Sequence, residues 1–311
     1  MSRDTTTACR PAAPRSCATR SLPVRALLRT LAVSLFLWPG AALAEGPRTL
    51  VIGGTIAEIV VALGAGDQLV GRDSTSTFPE SLKALPDIGP MVQISAEGAL
   101  ALAPELILAD PGVGPASAVE VLKAAGVDYQ VIPRVLNADG VIDRIATTAA
   151  VLGREAEGAA LVGKVRAQLD EAAARVAGLT QDARTPVLAV ISLQGGKIMT
   201  GGEGSTVDSL ITLAGGMNAG SGIDGYKVIT DEAVIAAAPE VILISADSGG
   251  PYASAEDVLA HPALAHTPAV AKGRIVAMDG LLLLGFGLRT GEAILTLNEA
   301  LYGPPGPAGE P

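Results

Sequence analysis

The sequence is poor in cysteine, histidine and aromatic side chains. Its 311 residues include two cysteines, Cys9 and Cys17, two histidines, His261 and His266, and 3% aromatic residues. Both cysteines lie within the first 44 residues, which we expect to be removed, so the processed chain would have no disulfide, thiol nucleophile or cysteine metal site. The histidines are five residues apart, a spacing that does not make a metal site. With so few histidines, no Ser-His-Asp arrangement can be nominated.

Residues 1–44 have the layout of a signal peptide. Six arginines and a single aspartate precede the apolar run LAVSLFLWPGAALA, which ends in small residues at Ala42 and Ala44. A permanent anchor is the alternative, but the run contains Pro39-Gly40 and is shorter than the roughly 20 residues of a membrane helix. We therefore expect cleavage near Ala44 and export to the bacterial periplasm.

Basic residues are scarce relative to acidic ones. The chain has 22 basic and 32 acidic residues, and removing the leader's six and one leaves 16 and 31, a formal charge of −15. Such a chain lacks a basic stripe, so nucleic acid and anionic membrane are expected to be poor partners.

Apolar runs of strand length alternate with segments of helical period, which predicts an α/β protein with parallel sheets. The predicted strands are 49–54, 68–73, 105–110, 129–133, 185–193, 240–245 and 273–279. The predicted helices are 55–66, 117–126, 205–215 and 289–303.

A nearly unbroken helical pattern from 138 to about 179 separates two similar series of elements. Its second part, 154–179, contains no proline and could form a rigid connector. Two ordinary helices with a break at Gly153 are the alternative. The expected organisation is a lobe at 45–137, a helical connection at 138–183, a second lobe at 184–303 and a disordered tail at 304–311.

One sequence segment occurs twice in the chain. ISAEGALALAPELIL at 94–108 and ITDEAVIAAAPEVIL at 229–243 are identical at eight of fifteen positions. Ser95 and Thr230 are good N-cap residues, and they place Glu97 and Glu232 in the first turn of a short helix. Each glutamate either stabilises its helix start through the helix dipole or offers one acidic contact per lobe to a partner with two equivalent basic pockets.

These residues resemble the periplasmic substrate-binding proteins of ABC importers for haem, cobalamin and ferric siderophores, and the hemin-binding branch in particular. The resemblance rests on 51–89, 95–110, 194–196, 213–244 and LLLLGFGLRT at 281–290. It implies a class III binding-protein fold, in which two Rossmann-like lobes with parallel sheets are joined by one long rigid α-helix. It also implies that Glu97 and Glu232 engage arginines on the two copies of an ABC permease, and that the protein, expected to be a monomer, is no enzyme.

Phe78 departs from this pattern. Hemin binders usually have Tyr-Pro here, and the tyrosine oxygen ligates the iron, whereas a phenyl ring can only stack on a porphyrin. Tyr226, read as part of a loop, is the first alternative iron ligand, followed by Met91 and Met199; Tyr226 could instead be a loop tyrosine that packs over the hinge.

The expected ligand is hemin, with a corrinoid or ferric siderophore as the alternative. Arg72, Lys227 and Arg289 are the cations expected near its propionates, unless they are only solvated surface groups. Phe286 and Phe78 are candidate stacking faces, although Phe286 could belong to the core. The loops that carry these residues also bring Thr55, Ser76 and Gln194 to the cleft.

An enzyme is the competing class. Gly53-Gly54 follows the first strand as in a nucleotide-binding loop, but VIGGTIAE has neither the G-x-G-x-x-G spacing nor a P-loop lysine. We therefore expect a capture protein whose lobes close only modestly, because a helix connects them.

Overall fold

The computed structural model describes residues 46–246 and 252–303. The predicted signal peptide with its cleavage site, and the tail from 304, lie outside these residues. The first lobe contains β1 (Thr49–Ile52), α1 (Gly54–Ala62), β2 (Leu69–Arg72), α2 (Ala96–Ala101), β3 (Leu106–Ala109), α3 (Ala116–Ala124) and β4 (Asp128–Val131). Its strands pair in parallel in the order β2-β1-β3-β4. The central strands β1 and β3 are buried throughout, as their unbroken apolar sequences require.

The connection consists of α4 (Ala138–Val151) and α5 (Glu155–Val176). The helical pattern is divided at Gly153, as the alternative interpretation has it, because Gly153 has a φ of 63° and ends the first helix. Arg166 of α5 lies 3.5 Å from Asp139 at the start of α4, so the two helices run antiparallel. At 22 residues, α5 is about 33 Å long and is the long helix that the fold class requires.

The second lobe repeats the parallel arrangement. It begins with β5 (Pro186–Val190), β6 (Ser192–Gln194), β7 (Lys197–Gly201), α6 (Thr206–Leu213), β8 (Met217–Asn218), β9 (Tyr226–Ile229), α7 (Asp231–Ala237) and β10 (Val241–Ser245). It ends with α8 (Ala255–Ala260), α9 (Pro262–Ala265), α10 (Pro268–Ala271), β11 (Ile275–Met278), α11 (Gly280–Leu284) and α12 (Thr290–Tyr302). Its main sheet has the order β11-β10-β5-β8, and the expected fold class is confirmed.

A small antiparallel sheet, β6-β7-β9, was not predicted. The single strand expected at 185–193 is divided at Ile191 between two sheets, and Tyr226, expected in a loop, begins a strand. The physical reason is the pair Gly195-Gly196, with φ values of 57° and 72°. Two residues with positive φ form the turn that joins adjacent antiparallel strands, so the Gly-Gly pair folds β6 back on β7.

One apolar core extends through both lobes and the connection. Buried Ile59 of α1, Ile145 of α4, Val165 of α5 and Leu297 of α12 belong to the same cluster. The two lobes therefore pack on this shared core, here called the common base, although each lobe has its own sheet. Among the residues described, no helix combines the length and apolar character needed to cross a bilayer.

Candidate ligand-binding cleft

The carboxyl ends of the first-lobe strands meet at one edge, here called the first-lobe edge (residues 53, 73–78, 110–112 and 132–134). Gly53 follows β1 with a φ of 134°, and its amide donates to Asp73 Oδ1 at 2.8 Å. A Cβ at this position would lie 3.0 Å from Cβ of Asp110, which follows β3. Only glycine allows this backbone conformation at such close quarters.

Hydrogen bonds from buried polar groups fix the conformation of the loop after β2. Asp73 accepts hydrogen bonds from the amide of Thr75 at 2.9 Å and the hydroxyl of Ser76 at 2.6 Å. Arg72 donates to the carbonyl of Leu82 at 3.0 Å and pairs with Asp87 at 3.1 Å. Ser76 and Arg72, both expected to contact ligand, are thus buried in contacts that shape the loop.

The start of α1, beside the first-lobe edge, touches the second lobe at glycines of the GFGLRT segment. A Cβ at Gly285 would lie 2.5 Å from Cγ2 of Thr55, and one at Gly287 would lie 2.7 Å from Cβ of Thr55. Side chains are excluded from such contacts, so the lobes meet here at backbone distance. Thr55 is buried at this junction, and Phe286 is buried in the shared core. Phe286 is therefore packed as a core residue, which was the alternative to a role as a stacking face.

Arg289 bridges the two lobes and forms the interlobe pair with Glu58. Its Nη2 and Nε lie 2.6 Å and 3.2 Å from Oε1 and Oε2 of Glu58, and Asp279 is 3.6 Å away. The guanidinium also lies over the ring of Phe78, 4.0 Å from the centroid. Arginine stacks well on aromatic faces, so one face of this half-exposed ring is already occupied.

The interlobe pair is strongly desolvated on the glutamate side. Burial raises the pKa of Glu58 above its ordinary value, and the hydrogen bonds and charge of Arg289 only partly oppose this effect. Burial alone would lower the pKa of Arg289, but Glu58, Asp279 and Glu292 together raise it. Three carboxylates therefore surround one guanidinium, so Arg289 has no surplus positive charge.

A small cavity of about 10 Å³, enough for roughly one water molecule, opens at the interlobe pair. A larger ligand would have to contact the surfaces beside it. The cavity is lined by Thr55, Glu58, Leu281, Leu282, Phe286, Gly287, Arg289 and Thr290.

The antiparallel sheet of the second lobe presents an exposed face, here called the Tyr226 face (Gln194, Met199, Tyr226 and Val228). Met199 is paired with Val228, and strand alternation places all four side chains on one side. Met199, Tyr226 and Val228 are 36%, 43% and 52% exposed. Ile198 and Ile229 point the other way into the core. The structure thus brings together three residues expected at the ligand: Gln194, Met199 and Tyr226.

The hydroxyl of Tyr226 forms a hydrogen bond with the hydroxyl of Thr206, which is buried at the start of α6. Lys227 alternates to the opposite side of β9 and is exposed. Met91 lies in the first lobe, half-buried, with its Cε 3.6 Å from the position a Cβ would take at Gly112. Met91 therefore lies beside the first-lobe edge, on a different lobe from the Tyr226 face.

The sequence repeat is also a repeat of backbone structure. Ser95 Oγ accepts from the amide of Gly98 at 3.0 Å, and Thr230 Oγ1 accepts from the amide of Ala233 at 3.3 Å, which confirms both N-caps. The two helices are followed by Ala103 and Ala238, with φ values of 47° and 42°.

Glu97 and Glu232 are both exposed in the first turns of α2 and α7. Within residues 46–246 and 252–303, neither carboxylate has a hydrogen-bond or ion-pair partner. Two equivalent, unpaired carboxylates are thus available to a partner.

The sequence pattern alone does not indicate Glu58, Arg134, Arg144 or Asp110 as residues of the cleft. Arg144 lies on the buried side of α4 and is 1% exposed, with its Nη2 2.7 Å from Asp110 Oδ2. An arginine at an apolar position of a helix is a signal that a buried acidic partner exists, but the sequence does not identify that partner.

These features define an α/β protein of two lobes that meet at a buried ion pair. A family model described as periplasmic binding protein matches residues 50–281, and the chain belongs to this family. It is 37% identical to the periplasmic heme-binding protein BhuT, solved in complex with two hemes, over 82% of this chain and 97% of that one, with a TM-score of 0.75.

Two curated relatives extend the comparison. The chain is 26% identical to the ABC transporter substrate-binding lipoprotein YvrC of Bacillus subtilis, over 79% of this chain and 76% of the relative. It is 29% identical to the vitamin B12-binding protein of Vibrio campbellii, over 67% and 75%. The protein is thus a periplasmic substrate-binding component of an ABC transporter, which takes a small molecule to a membrane permease.

Proposed function

We propose that this protein captures hemin between its lobes and delivers it to the permease of an ABC importer. The observation that carries the proposal is the Tyr226 face, which combines exposed apolar side chains with a phenol oxygen. A flat apolar surface suits a porphyrin ring, and a tyrosine oxygen suits ferric iron. The likeness to BhuT, at 37% identity, supports the same ligand class.

Tyr226 is the proposed iron ligand. Its oxygen already has a hydrogen-bond partner in Thr206, which would hold the phenol in one orientation. Met199 lies on the same face and Met91 on the opposite lobe, and these thioethers are the next candidates as donors.

A corrinoid or ferric siderophore is the second candidate ligand. Phe78 favours it, because this position lacks the oxygen donor expected of a hemin binder, and the vitamin B12-binding relative shares the family. In either case Glu97 and Glu232 would contact the two halves of the permease, and the protein would act as a monomer. Arg289, Lys227 and Phe78 remain proposed contacts at the cleft, with Arg289 acting through its stacking on Phe78.

An optical titration of the processed protein tests the proposal. Hemin, cobalamin and a ferric siderophore are added separately to the wild type, Tyr226→Phe and the control Tyr129→Phe, whose ring lies beside Lys123 in the first lobe. We expect saturable hemin binding with a spectrum that changes only in Tyr226→Phe. Saturation by cobalamin or the siderophore with only nonspecific hemin uptake would replace hemin by the second candidate. Saturable hemin binding with an unchanged Tyr226→Phe spectrum would exclude Tyr226 as the iron ligand.

A further inference from the structure

Two arginines share one carboxylate at the first-lobe edge. Asp110, 3% exposed, accepts from Arg144 Nη2 at 2.7 Å on one oxygen. Arg134 Nη1 lies 3.6 Å from the other oxygen, which also accepts from the amide of Gly112 at 3.2 Å. The three side chains form the arginine cluster (Asp110, Arg134 and Arg144).

The arginine cluster has a surplus positive charge. Arginine stays protonated in proteins, so the single charge of Asp110 is balanced by the fully buried Arg144, at the shorter distance. The second guanidinium, Arg134, is 28% exposed and adds one uncompensated charge. Arg134 reaches solvent, whereas Asp110 and Arg144 are buried. An anionic group that binds to Arg134 would neutralise the remaining positive charge.

The position of Arg134 places this charge at the cleft. It follows β4, whose carboxyl end lies at the same edge as those of the parallel neighbours β3 and β1. That edge lies beside the second lobe, since a Cβ at Gly54 would lie 2.6 Å from the carbonyl of Thr75 and 2.7 Å from Cδ1 of Leu281. The contact with Asp110, itself packed against Gly53, holds Arg134 at this edge.

Arg289 offers a contrast. It is nearer the junction, but Glu58 binds it at 2.6 Å and Asp279 lies 3.6 Å away, so negative charge is in excess there. On a chain whose processed form has a formal charge of −15, an anion would be repelled from most of the surface. A local surplus of positive charge is what a carboxylate requires.

We propose that Arg134 binds a propionate carboxylate of hemin and thereby selects a porphyrin dicarboxylate over a ligand with neutral side groups. The inference rests on the proposed function. Arginine forms paired, charge-assisted hydrogen bonds with carboxylates, and Arg144 holds Asp110 so that Arg134 keeps a net charge for the ligand. Arg134 is a specificity-determining residue, whereas Arg144 is a positioning residue.

The test compares hemin with hemin dimethyl ester, in which both carboxylates are blocked. Affinities are measured by optical titration for the wild type, Arg134→Gln, Arg134→Lys and the control Arg154→Gln, whose arginine is similarly exposed and paired with Glu157. Thermal unfolding verifies that each variant is folded.

We expect Arg134→Gln to bind hemin about tenfold more weakly and the ester no more weakly than the wild type does. Arg134→Lys should recover part of the loss, and Arg154→Gln should match the wild type. Equal hemin affinity in Arg134→Gln and wild type would overturn this inference and leave the proposed function intact. Failure of the wild type to bind hemin at all would overturn the proposed function and the inference with it.

Discussion

Glu58 and Arg289 form a bidentate ion pair across the two lobes, although 231 positions separate them in the sequence. The glutamate side chain is 4% exposed and the arginine 20% exposed. A buried pair of this kind contributes little net stability, because desolvation offsets the attraction, but removal of one partner leaves a buried charge. The pair therefore fixes the relative position of the two lobes more than it adds to the free energy of unfolding.

Removal of Arg289 should destabilise the protein at neutral pH. Arg289→Gln would leave the Glu58 carboxylate buried beside Asp279 and Glu292, at a cost of about 3 kcal/mol in the free energy of unfolding measured with urea. The double variant Glu58→Gln/Arg289→Gln should regain most of this loss. Arg154→Gln, which breaks a partly exposed pair, should cost less than about 1 kcal/mol. An Arg289→Gln protein as stable as the wild type would contradict the expectation.

Glu58 should also produce a distinctive pH dependence. Because burial raises its pKa, the folded protein keeps a proton that the unfolded chain releases above the ordinary value of 4.5. The contribution of this group to stability therefore falls as pH rises from about 4.5 through the raised pKa. Urea unfolding of the wild type and Glu58→Gln between pH 4 and 7 measures it. The stability difference, wild type minus variant, should decrease with pH; a constant difference would rule out the titration.

Phe78→Tyr should strengthen hemin binding. The ring is 46% exposed, and the guanidinium of Arg289 stacks 4.0 Å from its centroid, so a phenol at this position would be held in one orientation with its oxygen able to reach a ligand. A phenolate can ligate iron, so the hemin spectrum of the variant should change and its affinity should rise. Phe78→Leu is the control without an oxygen. Identical spectra for the two variants would show that position 78 lies away from the iron.

Reversal of the two exposed glutamates should stop transport without loss of capture. Glu97→Lys/Glu232→Lys is expected to abolish uptake through the permease, since like charges would face each other, while hemin affinity stays within about twofold. The control Glu120→Lys/Glu299→Lys changes the same charge at other exposed helix positions. A loss of affinity in the first variant would mean that these carboxylates support the cleft.

The lobes should move little when hemin binds. Buried residues of α1, α4, α5 and α12 belong to one core, so rotation of one lobe would disturb packing in the other. Small-angle scattering of the free and hemin-bound protein should give radii of gyration within about 1 Å of each other. A larger compaction would contradict a common base for the lobes.

The sequence predicted the parallel sheets and both N-caps because each depends on local pattern. Apolar runs at β1 and β3 indicate buried strands, and Ser95 and Thr230 precede short helices. The Gly195-Gly196 turn was missed because the apolar run through Ile191 seemed continuous. Its signal, two adjacent glycines between short strands, was present in the sequence.

The cleft was harder to predict than the fold, because its contacts join distant positions. Nothing near Glu58 indicates Arg289, and nothing near Arg134 indicates Asp110. Their positions predict Arg72 and Ser76 as ligand contacts, whereas Arg72 donates to the carbonyl of Leu82 and Ser76 donates to Asp73. A sequence gives the chemical type of such residues, but the fold decides which of them reach solvent.

The core that α5 shares with both lobes has a consequence for the transport cycle. A receptor that barely changes shape has its binding surfaces in place before the ligand arrives, so capture requires little ordering of the chain. The same rigidity means that a bound ligand is held by its own contacts rather than by closure of the lobes. A permease that separated the lobes would have to strain this shared core.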